Sequence, residues 1–154
     1  MNDAQERIKF SELSNFFPKQ REALEASKRF KFTLFGGSVG SGKSRWLRWS
    51  MVYWLMKYYS KYNIKGIRAG LFCEDYPSLN DRHLSKVKFE FPQWLGNFNE
   101  AKHEFTLAPE YGSGIIAFRN LDDPAKYLSV EFAVIAIDEI NRNPKTTFDM
   151  LRSR

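Results

Sequence analysis

The chain alternates short apolar runs with longer mixed stretches, and each run ends at a change of composition. Residues 2–28 are largely polar. Within them Pro18 opens a helix over residues 19–27, because proline suits the first helical turn. Residues 30–35 are apolar and aromatic and stop at Gly36 and Gly37, which predicts a strand ending in a tight loop. From Lys43 to about Tyr62 neither Gly nor Pro interrupts a long helical pattern. Leu47, Met51, Trp54, Leu55 and Tyr58 share one face, while Trp46, Trp49, Tyr53 and Met56 form a second apolar stripe. A helix apolar around so much of its circumference is buried on several sides, so these aromatics read as core rather than as a binding platform.

Residues 67–73 predict a second buried strand. Residues 78–91 then predict a helix capped by Ser78 and crowded with positive charge at Arg82, His83, Lys86 and Lys88. Residues 105–107 and 115–118 flank Pro109, Gly112 and Gly114, which predicts a hairpin with a glycine-rich turn. Residues 132–137 are apolar, with β-branching at Val134, Ile135 and Ile137, and fit a central parallel strand buried on both faces. Another helix begins at residue 146. Strand, loop, helix, strand, helix, strand is an α/β pattern with a mostly parallel sheet and right-handed crossovers.

Length and composition narrow the class. A chain of 154 residues suits one domain, and 43% hydrophobic with 16% aromatic residues excludes a disordered chain. The 24 basic against 18 acidic residues leave a net charge of +6, which suits polyanionic partners or an ordinary basic surface. The one cysteine, Cys73, lies in an apolar run and reads as a buried structural thiol in a reducing compartment. No apolar run approaches the roughly 18 residues of a membrane span, and no signal pattern opens the chain, so a cytosolic protein is expected.

Gly37, Ser38, Val39, Gly40, Ser41, Gly42, Lys43 and Ser44 fit G-x-x-x-x-G-K-[ST], with a strand expected before and a helix after. Glycines let the backbone curl so that several N–H groups point inward, and the helix N-terminus adds its positive end. In that chemistry Lys43 reaches the β- and γ-phosphates of ATP, and Ser44 offers its hydroxyl to Mg²⁺. Asp138 and Glu139 directly follow the apolar strand at 132–137, at the end where parallel sheets bind ligands. Asp138 is then expected to face the Mg²⁺ through water, and Glu139 to orient and deprotonate the attacking water. A carboxylate base points to an ATPase rather than a small GTPase, and the Asn-Lys-x-Asp guanine motif is absent.

Four stretches resemble the ATPase domain of a tailed-phage terminase large subunit, the motor that packages viral DNA. They are Phe16-Phe17-Pro18-Lys19-Gln20, the glycine loop, Tyr76-Pro77-Ser78-Leu79-Asn80-Asp81, and residues 115–139, particularly Phe118-Arg119-Asn120-Leu121-Asp122-Asp123-Pro124. The resemblance covers most of the chain, residues 15–154, and rests on these stretches. The resemblance implies a P-loop NTPase fold of the ASCE type, a three-layer sandwich ending after its Walker B strand. It divides the chain into residues 1–28, carrying an adenine-recognition segment in which Gln20 reads the base, and an ATPase core at 29–154. It further implies double-stranded DNA, a portal protein and a small terminase subunit as partners, a homo-oligomeric ring, and a place in the host cytoplasm docked on a procapsid.

Ser38 stands where many terminases carry a basic residue, and Glu74-Asp75 where many carry another. The family's coupling motif and nuclease domain are not among these 154 residues, so the chain reads as an ATPase piece that is weakly active or inactive alone. Candidates for a transition-state cation are Arg119, Arg142, Arg152 and Arg154, whereas Arg45 is expected to point away along its helix. A helicase-like nucleic-acid ATPase and a nucleotide-dependent assembly module without turnover are the alternative readings. DNA contact is first sought at Arg82, Lys86 and Lys88, with Glu90→Ala as a control expected to leave such binding intact or improve it.

Overall fold

The computed structural model of the chain describes residues 10–122, 124–127 and 129–152, with backbone alone at residue 124. Among these residues five strands form one mixed sheet: β1 Arg68–Cys73, β2 Gly96–Asn99, β3 Glu104–Leu107, β4 Ile115–Asn120 and β5 Val134–Ile137. Their order is β2-β3-β4-β1-β5. β4, β1 and β5 run parallel, while β2 and β3 continue the sheet antiparallel. The helices are α1 Phe10–Ser14, α2 Pro18–Arg29, α3 Lys43–Tyr62, α4 Tyr76–Leu79, α5 Ser85–Glu90 and α6 Lys145–Arg152. The fold is therefore α/β, and no described helix is long and apolar enough to cross a membrane.

Side-chain alternation along the parallel strands builds two apolar clusters, one on each face of the sheet. Ala69, Leu71 and Cys73 of β1 and Ala136 of β5 join Trp49, Val52 and Leu55 of α3 in the larger cluster. Leu79, Leu84, Val87 and Phe91, from the helical stretch after β1, complete it. Phe72, on the opposite face, packs with Leu121, Tyr127 and Leu151, with Ile135 and Ile137 of β5 against them. Of the two stripes of α3, Trp46, Trp49, Met51 and Leu55 are core, whereas Leu47, Tyr53, Trp54, Met56 and Tyr58 are half-buried, and Trp54 and Tyr58 face the cleft described below. Trp49 is 2% exposed and Leu55 1%, and each such burial contributes roughly 1.5–3 kcal/mol relative to exposure.

Four expectations change. Residues 30–35 form no strand: they run beside β5 without a ladder, and between them and residues 132–141 lies a cleft of about 850 Å³. A strand exists by pairing, and apolar residues with β propensity remain irregular where no neighbour lies within hydrogen-bonding reach. β5 for the same reason is an edge strand, paired with β1 alone, and β1 rather than β5 is the middle one of the three parallel strands. The helix after β1 starts at Tyr76, and its cap is Asp75, whose carboxylate accepts from the Ser78 N–H at 2.8 Å. That helix is also broken by a π turn, Asn80–Leu84, where the Ser85 N–H reaches back to the Asn80 carbonyl. The expected hairpin is present, with β3 and β4 antiparallel and a 3₁₀ turn and left-handed Gly112 between them. Its partner β2 lacks β-branched residues and gave no strand signal.

Candidate functional site

The C-terminal ends of β1 and β5 and the start of α3 meet at one place. Gly42 precedes α3 in the left-handed conformation, with φ 75°, and Gly40 shares it with φ 80°. A Cβ on Gly42 would lie 2.7 Å from Gln20 Nε2, and one on Gly37 3.1 Å from Ser41 Oγ. The loop therefore needs glycine for space at Gly37 and Gly42, and for backbone reach at Gly40. Ser38, Val39 and Gly40 are exposed along the loop. Ser41 Oγ is buried with no hydrogen-bond partner, an uncommon state for a hydroxyl. Lys43 folds back over the loop and donates from Nζ to the Gly37 carbonyl at 2.6 Å.

Ser44, the second residue of α3, donates from Oγ to Asp138 Oδ2 at 2.7 Å. β5 fixes the carboxylate's height, because the Asp138 N–H bonds the Phe72 carbonyl of β1 at 2.8 Å. The glycine loop and the first acid, 94 positions apart across Ser44 and Asp138, are in direct contact. Glu139 follows in the left-handed region, φ 51° and ψ 55°, and its carbonyl accepts from the Arg142 N–H at 2.9 Å to start a 3₁₀ turn. Lys43, Asp138 and Glu139 all line the cleft beside β5.

Asp138 is 3% exposed. Burial pushes its carboxyl up, but hydrogen bonds from His83 and Ser44 outweigh that and hold it below the usual carboxylate range. His83 Nε2 lies 2.8 Å from the same Oδ2. The other ring nitrogen, Nδ1, is 3.1 Å from an Arg48 guanidinium nitrogen. A guanidinium only donates, so Nδ1 accepts and the ring proton sits on Nε2, aimed at Asp138. Burial, with Arg48 and Arg82 nearby, holds the imidazole pKa below its ordinary value despite Asp138, so the ring is neutral. Arg48 is itself fixed by Glu90 and by the Arg82 carbonyl at 2.5 Å.

His83 is the functional candidate that charge reading placed on the wrong face. It is fully buried, not part of a basic surface. Its signal was the spacing Leu79, His83, Val87, four residues apart on the apolar side of the helix. Cys73 Sγ joins His83 and Asp138 with ligand atoms within 4.8 Å of one another. Burial, followed by the Asp138 charge, pushes that thiol up to about 12, so it stays protonated as a core residue.

Other expected residues are committed elsewhere. Gln20 is 1% exposed; its amide accepts from the Phe17 N–H at 2.8 Å and donates to the Gly42 carbonyl at 3.0 Å, tying α2 to the loop. Arg119 spans the β3–β4 hairpin, bonding the Lys102 carbonyl at 2.9 Å and Glu104 at 2.8 Å. Arg45 points away from the loop, to the Ser14 carbonyl and Glu90. Arg142 lies 3.5 Å from Glu74, in the 3₁₀ turn that follows Glu139, and exposed Arg152 lines the cleft. Asp123 and Arg154 lie outside the described residues. Arg82 pairs with Glu74 at 2.6 Å and Lys88 with Glu100, which leaves less free charge on that helix than its sequence suggests. Glu90 is bound to both Arg45 and Arg48, so it is a structural anion and its replacement also frees two arginines.

Comparison with known proteins adds no relative to this picture: no family model matches the chain, and no curated protein or solved structure matches it significantly.

Proposed function

We propose that the chain is a magnesium-dependent ATPase core, with residues 37–44 as its P-loop and Asp138 and Glu139 as its acidic pair, of the kind that drives terminase DNA packaging. The observation carrying this reading is the Ser44 Oγ to Asp138 Oδ2 contact at 2.7 Å. A glycine-rich turn between secondary elements has no structural need for a distant acid on its first helical hydroxyl. A phosphate loop does, because it places a nucleotide and a hard cation together. The second acid, in a left-handed turn one residue later, fits the carboxylate base of ASCE-type ATPases.

Ser44 and Asp138 fit a magnesium ion: two hard oxygen donors stand side by side, and the serine lone pairs remain free while its proton goes to Asp138. Bound there, the ion supplies charge neutralisation on the phosphate oxygens. The chain's own groups account for the rest. Loop N–H groups and the α3 N-terminus hold the phosphates. Lys43 exchanges its Gly37 carbonyl for phosphate oxygens, which carry full negative charge and are the stronger acceptor. Glu139 accepts the proton of the water that attacks the terminal phosphorus, and ADP leaves with the bonding pair.

Ligand binding by calorimetry tests the reading on the chain as it stands. Lys43→Ala is expected to abolish ATP binding, whereas Glu139→Gln retains ATP and stops whatever turnover the parent shows. ATP affinity unchanged by Lys43→Ala would refute the phosphate loop; normal hydrolysis by Glu139→Gln would refute the base. On the terminase reading the working assembly is a ring acting on duplex DNA with portal and small subunit. Duplex translocation against strand separation distinguishes it from a helicase, and ATP bound without turnover in any assembled form identifies an assembly module.

A further inference from the structure

We propose that His83 is a positioning residue that holds the Asp138 carboxylate in the orientation the magnesium site requires. The inference rests on the reading of Ser44 and Asp138 given above. Its own evidence is separate, and lies in how a neutral, fully buried imidazole is wired.

Two donors converge on one oxygen: Ser44 Oγ at 2.7 Å and His83 Nε2 at 2.8 Å both meet Asp138 Oδ2. One donor leaves a carboxylate free to rotate about its χ2 torsion, which is broad for aspartate. Two donors from different elements, α3 and the π turn, fix the plane. The imidazole cannot turn over either, because its far nitrogen accepts from Arg48 at 3.1 Å. A ring flip would present carbon at both places and lose the bonds to Arg48 and Asp138 together. Arg48 in turn is held by Glu90 and by the Arg82 carbonyl. The chain Glu90, Arg48, His83, Asp138, Ser44 thus begins near the end of α5 and finishes on the loop's own helix. Carboxylates that ligate cations are themselves held by outer-shell hydrogen bonds, and losing such a partner typically costs about 10–100-fold in metal affinity.

Backbone geometry supports a dedicated role. His83 sits in the π turn Asn80–Leu84, and single π turns inside α-helices recur at functional sites because they redirect one side chain.

The experiment titrates Mg²⁺ against binding of a fluorescent ATP analogue, with the intact chain and its variants checked for folding by circular dichroism. His83→Leu is expected to raise the half-saturating Mg²⁺ by about tenfold or more, while His83→Gln, whose amide can donate to Asp138 and accept from Arg48, stays within about threefold of the parent. Binding of the analogue without Mg²⁺ should be unchanged in both. In an Asp138→Asn background His83→Leu should add no further shift. If His83→Leu does not fold, His83→Asn, too short to span both partners, is expected to show the same displacement. A folded His83→Leu or His83→Asn chain with the parent's Mg²⁺ dependence overturns the proposal. So does a shift that persists in full on Asp138→Asn, since that is the mark of a purely structural role. A parent chain with no Mg²⁺-dependent nucleotide binding defeats the ATPase reading first and this one with it; a Mg²⁺-dependent parent with indifferent His83 variants defeats this one alone.

Discussion

Glu139 is the acidic residue whose backbone argues hardest for function, and replacing it separates strain from chemistry. It holds φ 51° and ψ 55°, a conformation in which an L-residue's Cβ crowds the following carbonyl. That crowding costs about 1–2 kcal/mol in a non-glycine residue. Glycine escapes it but loses more backbone freedom on folding, which returns about 0.5–1 kcal/mol. Glu139→Gly should therefore be more stable than the parent by about 0.5–1 kcal/mol, and more stable than Glu139→Ala, which keeps the Cβ, by about 1 kcal/mol. For a chain of 154 residues, 1 kcal/mol moves the melting midpoint by about 2–4 °C. The assay is thermal unfolding of parent, Glu139→Gly, Glu139→Ala and Glu139→Gln in one buffer without nucleotide. Glycine should melt highest, with Glu139→Gln near the parent. An alanine variant as stable as the glycine variant would show that the turn is not strained. The reasoning would then fail at its first step, leaving no stored energy at this position for a functional requirement to explain.

Acid should weaken the fold through His83. Burial, reinforced by Arg48 and Arg82 and opposed by Asp138, holds its folded pKa below 6.5, so only the unfolded chain takes up a proton just below that value. Stability is then full above pH 6.5 and falls as pH drops, by up to about 1.4 kcal/mol per unit; Asp138, whose folded pKa is lowered, adds its own loss only below the ordinary 3.8. Urea midpoints between about pH 7.5 and pH 5 should slope for the parent and flatten for His83→Gln, and parallel curves would contradict the assignment. Gly42→Ala and Gly40→Ala make a second pair. Both positions have positive φ, but only at Gly42 would the new methyl meet a neighbour, 2.7 Å from Gln20 Nε2. Gly40→Ala should cost about 1 kcal/mol and Gly42→Ala about 2–3 kcal/mol, by strain plus a lost hydrogen bond; equal denaturation midpoints would count against the Gln20 tie.

The parts of this architecture that were legible in the sequence are those decided locally. α3 runs from Lys43 to Tyr62 as its uninterrupted helical pattern indicates. β1 and β5 coincide with the apolar runs around them, and the loop spacing with the first acid marks the place where Ser44 meets Asp138. What was not legible depends on who stands next to whom. Residues 30–35 have the composition of a strand, but pairing requires a partner backbone, and residue types do not announce one. Arg119 looks like a free cation until β3 turns back and presents Glu104 and the Lys102 carbonyl. His83 reads as one charge among four, yet a single wide turn, a property of backbone rather than of residue type, seats it against Asp138.

The cleft beside β5 has a mechanical consequence. Its two walls, residues 30–37 and residues 132–141, are joined by no ladder among the described residues; residues 30–37 instead reach α6, where Phe32 meets Phe148 edge to face, ring centres 5.9 Å apart. Hydrogen-bonded strands resist shear, whereas an aromatic contact slides at little cost because dispersion is non-directional and each atom pair contributes only about 0.1–0.2 kcal/mol. One wall leads into the glycine loop and the other carries Asp138 and Glu139, and the Ser44–Asp138 hydrogen bond ties α3, which follows that loop, to the second wall. A change in the width of that gap would alter the reach from loop to carboxylate without parting any rung of the sheet, because the ladder ends at β5.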